Sequence, residues 1–152
     1  MKKQKLYAIL FTAYLVFLVF IIILKFDGSF DTIFSLRQSI LNNRNSGILN
    51  INLIPFKSIS PYIKNITELY AFKNIMGNIV VFIPMGFFTA WFCNKKLLKT
   101  LLCCIIMLLS VEIMQFIFMI GFFDIDDLIL NLTGCVIGYL IKMTFYIFTK
   151  NR

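Results

Sequence analysis

The sequence has 152 residues, of which 60% are hydrophobic and 14% are charged. Because soluble domains carry about 25% charged residues, this composition excludes an ordinary soluble domain and indicates a membrane protein. The formal charge of +8 comes from basic residues between the apolar runs, which form no RNA- or DNA-binding motif, so nucleic acid is not an expected partner.

The first predicted element is a transmembrane helix over residues 6–24, preceded by Lys2, Lys3 and Lys5. Its apolar run is long enough to cross a bilayer, which takes about 20 helical residues. Since no Ala-x-Ala-like cleavage site lies near Lys25, we expect an uncleaved span and not a secretory signal.

A long loop is predicted over residues 25–74, where polar residues are interleaved with aromatic ones. Ile63, Ile66 and Tyr70 recur at steps of three and four residues, which predicts an amphipathic helix over residues 62–73. Such a helix is expected to lie on the bilayer surface.

Three further spans are predicted over residues 75–93, 97–120 and 128–148, so the fold class is an all-α polytopic membrane bundle in a single domain, 1–152. Pro84 and Gly86 are expected to bend or loosen the second span. Gly134 and Gly138 would let another helix approach the fourth closely.

The basic residues favour one orientation, with both termini in the cytoplasm. Nine of them would then be cytoplasmic: Lys2, Lys3, Lys5, Lys95, Lys96, Lys99, Lys142, Lys150 and Arg152. Asp124, Asp126 and Asp127 would be outside, together with a long loop that carries six basic residues: Lys25, Arg37, Arg44, Lys57, Lys64 and Lys73.

Six polar residues in or beside the last three spans are expected at a similar depth, in the outer half of the bilayer or at its surface: Asn78, Glu112, Gln115, Asp124, Asp127 and Asn131. If the fourth predicted helix is continuous from Asp124, this residue would share a helical stripe with Asp127, Asn131, Gly134 and Gly138. These groups could bond each other and hold the helices together, or bind a cation, an amine or a lipid headgroup. They could also perform acid–base chemistry through Glu112 and Asp127. We assign no metal or cofactor.

Three segments resemble the VanZ-like family, which is named for a teicoplanin-resistance protein of Gram-positive bacteria. Glu112-x-x-Gln115, followed by Asp124-x-x-Asp127-x-x-x-Asn131-x-x-Gly134, is similar to the family's strongest motif, and Asn78-x-x-x-Phe82-x-Pro84-x-Gly86 and Asn52–Phe56 resemble two others. Many members carry an arginine shortly before the first aspartate, where this chain has Gly121-Phe122-Phe123.

The resemblance implies a multi-pass protein of the bacterial cell membrane. The leading hypothesis is a non-enzymatic envelope protein that lowers susceptibility to lipoglycopeptides such as teicoplanin. The alternative is a membrane-embedded enzyme that acts on a lipid or cell-wall precursor through Glu112 and Asp127. Expected partners are membrane lipids and either a lipoglycopeptide or a lipid-linked cell-wall precursor, and the oligomeric state stays open.

Overall fold

The computed structural model describes residues 2–24 and 30–150. These residues form six helices and two short strands, in the order α1 (Lys2–Leu24), α2 (Phe30–Asn45), β1 (Ile51–Asn52), α3 (Ile59–Lys64), α4 (Leu69–Phe92), α5 (Leu97–Phe118), β2 (Phe123–Asp124) and α6 (Ile125–Lys150). Four helices are long and apolar enough to cross a membrane: Gln4–Ile22 within α1, and the whole of α4, α5 and α6. The predicted all-α membrane fold with four spans is confirmed.

The region predicted as one long loop contains a helix that the prediction missed. Residues 25–29 lie outside the described residues, but α2 occupies Phe30–Asn45. Its least exposed side chains are at positions 33, 36, 40 and 44, which recur at helical steps. Asp31 in its first turn and Arg44 in its last turn complement the helix dipole.

The amphipathic helix predicted over residues 62–73 is divided in the structure. Helix α3 ends at Lys64, where both the backbone and the side-chain amide of Asn65 donate to the carbonyl of Pro61. A new helix, α4, then begins at Leu69, six residues before the predicted start of the second span. The stripe of Ile63, Ile66 and Tyr70 therefore belongs to three different segments, and a surface location for α3 stays a prediction.

The chain divides into two compact units, each with its own packing. The first comprises residues 1–53 and 110–124. Here α1 contacts α2, and β1 pairs in parallel with β2 so that Asn52 lies opposite Asp124. Since Asp124 lies in β2 and α6 begins only at Ile125, the predicted stripe that included Asp124 was wrong: the helical part of it starts at Asp127.

The second unit comprises residues 54–109 and 125–152, and its core is the packing of α4 against α6. The two helices run parallel, because contacts pair Asn78 with Asp127 near one end and Phe87 with Phe145 further along. Three glycines bring the backbones together: a Cβ at Gly86 would meet the carbonyl of Cys135, and Cβ atoms at Gly134 and Gly138 would meet those of Ile79 and Ile83. We call Gly86, Gly134 and Gly138 the glycine seam.

Helix α4 continues through Pro84 from Leu69 to Phe92. Proline has no backbone N–H, so the carbonyl one turn earlier lacks its usual helical donor. Gly86, two residues later, is fully enclosed and lies directly against the backbone of Cys135. Pro84 therefore precedes one of the close backbone contacts between α4 and α6.

Candidate functional site

The six predicted site residues fall into both units. Glu112, Gln115 and Asp124 belong to the first unit, whereas Asn78, Asp127 and Asn131 belong to the second.

In the first unit, Glu112 is enclosed, with 1% of its surface exposed, although it carries a carboxyl group in an apolar helix. Its Oε2 atom accepts a hydrogen bond of 3.2 Å from the backbone N–H of Asp124. The carboxylate of Asp124 in turn accepts from the amide of Asn52 at 3.0 Å. The pairing of β1 with β2 creates this contact, because it places Asn52 opposite Asp124.

The first unit also contains a guanidinium that was not predicted as part of a site. Arg44 donates from Nε to the side-chain oxygen of Asn50 at 2.9 Å and from Nη2 to the carbonyl of Phe116 at 2.7 Å, with its Cζ 4.6 Å from the centre of the Phe116 ring. Asn50 is buried and donates to the carbonyl of Gly121 at 2.7 Å. Although residues 121–123 carry no arginine, Arg44 brings a cation to this part of the unit.

Gln115 lies beside the turn that follows α5. A Cβ at Gly121 would come within 3.2 Å of the Gln115 side chain, so the small residue leaves room for the glutamine. The same turn includes Met119, whose φ of 56° is unusual for a residue with a side chain. The described contacts give Gln115 a packing position at this turn.

In the second unit, Asp126 has a structural task that was not predicted. Its side chain has no exposed surface, and its carboxylate accepts backbone N–H groups from Phe56 at 2.6 Å, Ser58 at 2.7 Å and Ile59 at 3.1 Å. Phe56 has a φ of 65°, a conformation that residues with a side chain seldom adopt. Asp126 thus fixes the loop before α3 to the first turn of α6.

The remaining predicted residues of this unit lie between α4 and α6. Asn78 donates from Nδ2 to Asp127 at a long 3.3 Å. It lies nine residues after the start of α4, roughly 13 Å along the axis. Asn131, one turn after Asp127, is 3% exposed, and its Oδ1 has no hydrogen-bond partner among the described residues. We call Asn78, Asp127 and Asn131 the Asn131 site.

At the other end of the same helix pair, the basic residues pack on aromatic rings. The Nζ of Lys142 lies 4.0 Å from the centre of the Trp91 ring, and that of Lys95 lies 3.2 Å from the centre of the Tyr146 ring. Tyr139 donates its hydroxyl to the carbonyl of Lys95 at 3.1 Å. Cation–π contacts of this kind let a lysine such as Lys142 remain buried in an apolar helix.

The chemistry available to these groups is mainly hydrogen bonding and attraction of cations. Among residues 2–24 and 30–150, no group of three or more His, Cys, Asp or Glu side chains is arranged to hold a metal ion. The carboxylate of Asp126 is engaged by three backbone amides. Glu112 and Asp127 belong to different units, and acid–base chemistry by this pair stays a prediction.

Comparison with known proteins gives the family. The family profile described as VanZ/LLP1 matches residues 11–147. Protein VanZ of Enterococcus faecium is 28% identical over 130 residues, an alignment that covers 85% of this chain and 68% of that protein. No solved structure matches the chain significantly. With a profile match over most of its length and four helices able to span a bilayer, the chain is a membrane protein that belongs to the VanZ/LLP1 family.

Proposed function

We propose that this protein acts in the bacterial cell membrane to lower susceptibility to lipoglycopeptide antibiotics such as teicoplanin, without a chemical step of its own. Membership of the VanZ/LLP1 family and the similarity to Protein VanZ support this proposal. A lipoglycopeptide combines an acyl tail with a cationic amine. The apolar helices suit the tail, and carboxylates at a membrane surface suit the amine.

The observation that carries the proposal is the charge of the segment between Lys99 and Lys142. It holds four carboxylates, Glu112, Asp124, Asp126 and Asp127, and no basic residue. Three of them stand immediately before or within the first turn of α6. The positive-inside rule favours the outer face for the start of α6. Lys95, Lys96 and Lys99 lie at the other end of the paired helices, after α4, and the rule favours the cytoplasm for them. The proposed encounter with an external antibiotic takes place at the start of α6.

The test is antibiotic susceptibility of a Gram-positive host that expresses the full chain. We expect a higher inhibitory concentration of teicoplanin, and little change for a glycopeptide that has no acyl tail. Glu112→Gln keeps the shape and an acceptor oxygen but removes the ionisable carboxyl group, and Asp127→Asn does the same in the second unit. Both should lose most of the protection, while Asp31→Asn, the same change at an exposed position of α2, should keep it.

The amount of tagged protein in the membrane fraction must be equal for all variants, so that a loss of protection reports function and not expression. Unchanged teicoplanin susceptibility in cells that contain the parent protein would overturn the proposal. Full protection by Glu112→Gln and Asp127→Asn would show that these carboxylates are not involved.

The burial of Glu112 favours a second candidate function, a membrane-embedded enzyme that acts on a lipid or cell-wall precursor. A carboxyl group that is 1% exposed in an apolar helix is a suitable proton donor or acceptor for a lipid substrate. This function predicts an altered lipid or precursor profile in a deletion strain, restored by the parent and not by Glu112→Gln. An unchanged profile would count against it.

A further inference from the structure

The Asn131 site contains a buried oxygen that lacks a donor. The Oδ1 atom of Asn131 is enclosed, and no described residue donates a hydrogen bond to it. Leaving such an acceptor unpaired costs about 1–3 kcal/mol. Buried polar groups are usually paired, so this oxygen indicates a donor that residues 2–24 and 30–150 do not supply.

The position of Asn131 on α6 shows which way the oxygen is directed. Asp127, one turn earlier, contacts the side chain of Asn78, and Gly134, one turn later, lies against the carbonyl of Ile79. Residues three and four apart share a helix face, so Asn131 faces α4 between these two contacts. Asn78 and Asp127 themselves are partly exposed.

Three oxygen-bearing side chains therefore lie on the facing sides of α4 and α6. Asp127 supplies a carboxylate, Asn131 a carbonyl oxygen, and Asn78 an amide that can present either its nitrogen or its oxygen after rotation. The present bond from Asn78 to Asp127 is 3.3 Å long, beyond the usual range for N–H···O, so rotation costs little. The set offers three acceptors and one negative charge.

That set matches a primary ammonium group, which has three N–H donors and one positive charge. Calcium takes six to eight oxygen ligands and magnesium a near-ideal octahedron, and one carboxylate with two neutral amides is a poor match for either. We propose that Asn78, Asp127 and Asn131 bind a primary ammonium group. The inference deepens the proposed function, on which it rests for the source of the amine.

The test uses the purified full chain in lipid nanodiscs, with methylammonium chloride as the probe. Methylammonium should raise the midpoint of thermal unfolding in a saturable way. Tetramethylammonium carries the same charge but has no N–H group, so it should give no shift. Potassium chloride at the same ionic strength controls for screening and for an alkali cation in the site.

The variants separate the site from its surroundings. Asn131→Leu keeps the branched shape but removes the acceptor, and Asp127→Asn removes the charge. Each should weaken methylammonium binding about tenfold or more. Thr133→Val is the matched control, because Thr133 is exposed on the same helix and its hydroxyl donates to the carbonyl of Ile129 within that helix. This variant should bind methylammonium like the parent.

Three results would overturn the inference: no shift with methylammonium in the parent, an equal shift with potassium, or full binding by Asn131→Leu. Teicoplanin susceptibility is measured in cells with the same variants. If methylammonium fails to bind while protection persists, only the ammonium site is wrong. If methylammonium binds as expected while the parent gives no protection, the proposed function is wrong and the site stands.

Discussion

Helices α4 and α6 meet at two levels that differ in what determines the contact. At the glycine seam, backbone touches backbone, and there is no room for a Cβ at Gly86, Gly134 or Gly138. One to two turns closer to the start of α6, at the Asn131 site, polar side chains meet and one buried oxygen has no described partner. At the glycine seam, the lack of space restricts which side chains fit. At the Asn131 site, an acceptor without a hydrogen-bond donor among the described residues lowers the stability. Substitutions at the two levels should therefore change stability in opposite directions.

The largest expected effect comes from filling the seam. Gly138→Leu would place a side chain where the carbonyl of Ile83 and the amide of Phe87 now lie, and backbone atoms cannot move aside without separating the helices. We expect a loss of about 3 kcal/mol or more in the free energy of unfolding, measured by denaturant titration in detergent micelles. Thr133→Leu adds similar bulk at an exposed position of the same helix and should change stability little. A Gly138→Leu protein as stable as the parent would contradict the close approach.

The second effect comes from the carboxylate that holds the loop to α6. Asp126→Asn leaves one oxygen and one N–H donor facing the backbone amides of Phe56, Ser58 and Ile59. We expect a loss of about 2 kcal/mol, since hydrogen bonds to charged groups contribute about 1.5–3 kcal/mol each. Hydrogen–deuterium exchange should accelerate at these three amides and stay unchanged within the glycine seam. Equal exchange in the variant and the parent would show that the loop does not depend on Asp126.

The smallest effect has the opposite sign. Asn131→Leu replaces a buried amide by an apolar group of the same branched shape, so the unpaired oxygen disappears. We expect the variant to be about 1 kcal/mol more stable than the parent in the absence of an amine. The same titration measures it, with Asn74→Leu as a control at an exposed position of α4. A clear loss of stability would mean that Asn131 already has a partner in the folded chain.

The four long helices could be predicted from the sequence, because a run of about 20 apolar residues has few possible structures other than a membrane-spanning helix. The sequence was not sufficient for α2, where Ile33, Leu36 and Ile40 are separated by polar residues and the helical period is weak. Asp124 was wrongly predicted to share the helix of Asp127. The spacing from Asp127 to Gly138 is helical, and no turn residue marks the start of α6 at Ile125. A two-residue strand has no pattern of its own.

The candidate residues were easier to select than their partners. Glu112 and Asn131 are conspicuous because a polar group in an apolar run is costly. Arg44, Asn50 and Asp126 were not selected. Apart from the bond between Arg44 and Asn50, the described partners are backbone groups far along the chain: Phe116, Gly121 and the loop at residues 56–59. Contacts to the backbone leave no pairing signal in a single sequence, so only the fold reveals them.

The proposed function requires the carboxylate end of α6 to face outward, and cysteine labelling tests this orientation. In a background without native cysteines, Lys57→Cys probes the exposed loop held by Asp126, and Lys96→Cys probes the exposed turn between α4 and α5. A membrane-impermeant maleimide applied to intact cells should label position 57 and not position 96. Labelling of position 96 alone would place the carboxylates in the cytoplasm and contradict contact with an external antibiotic.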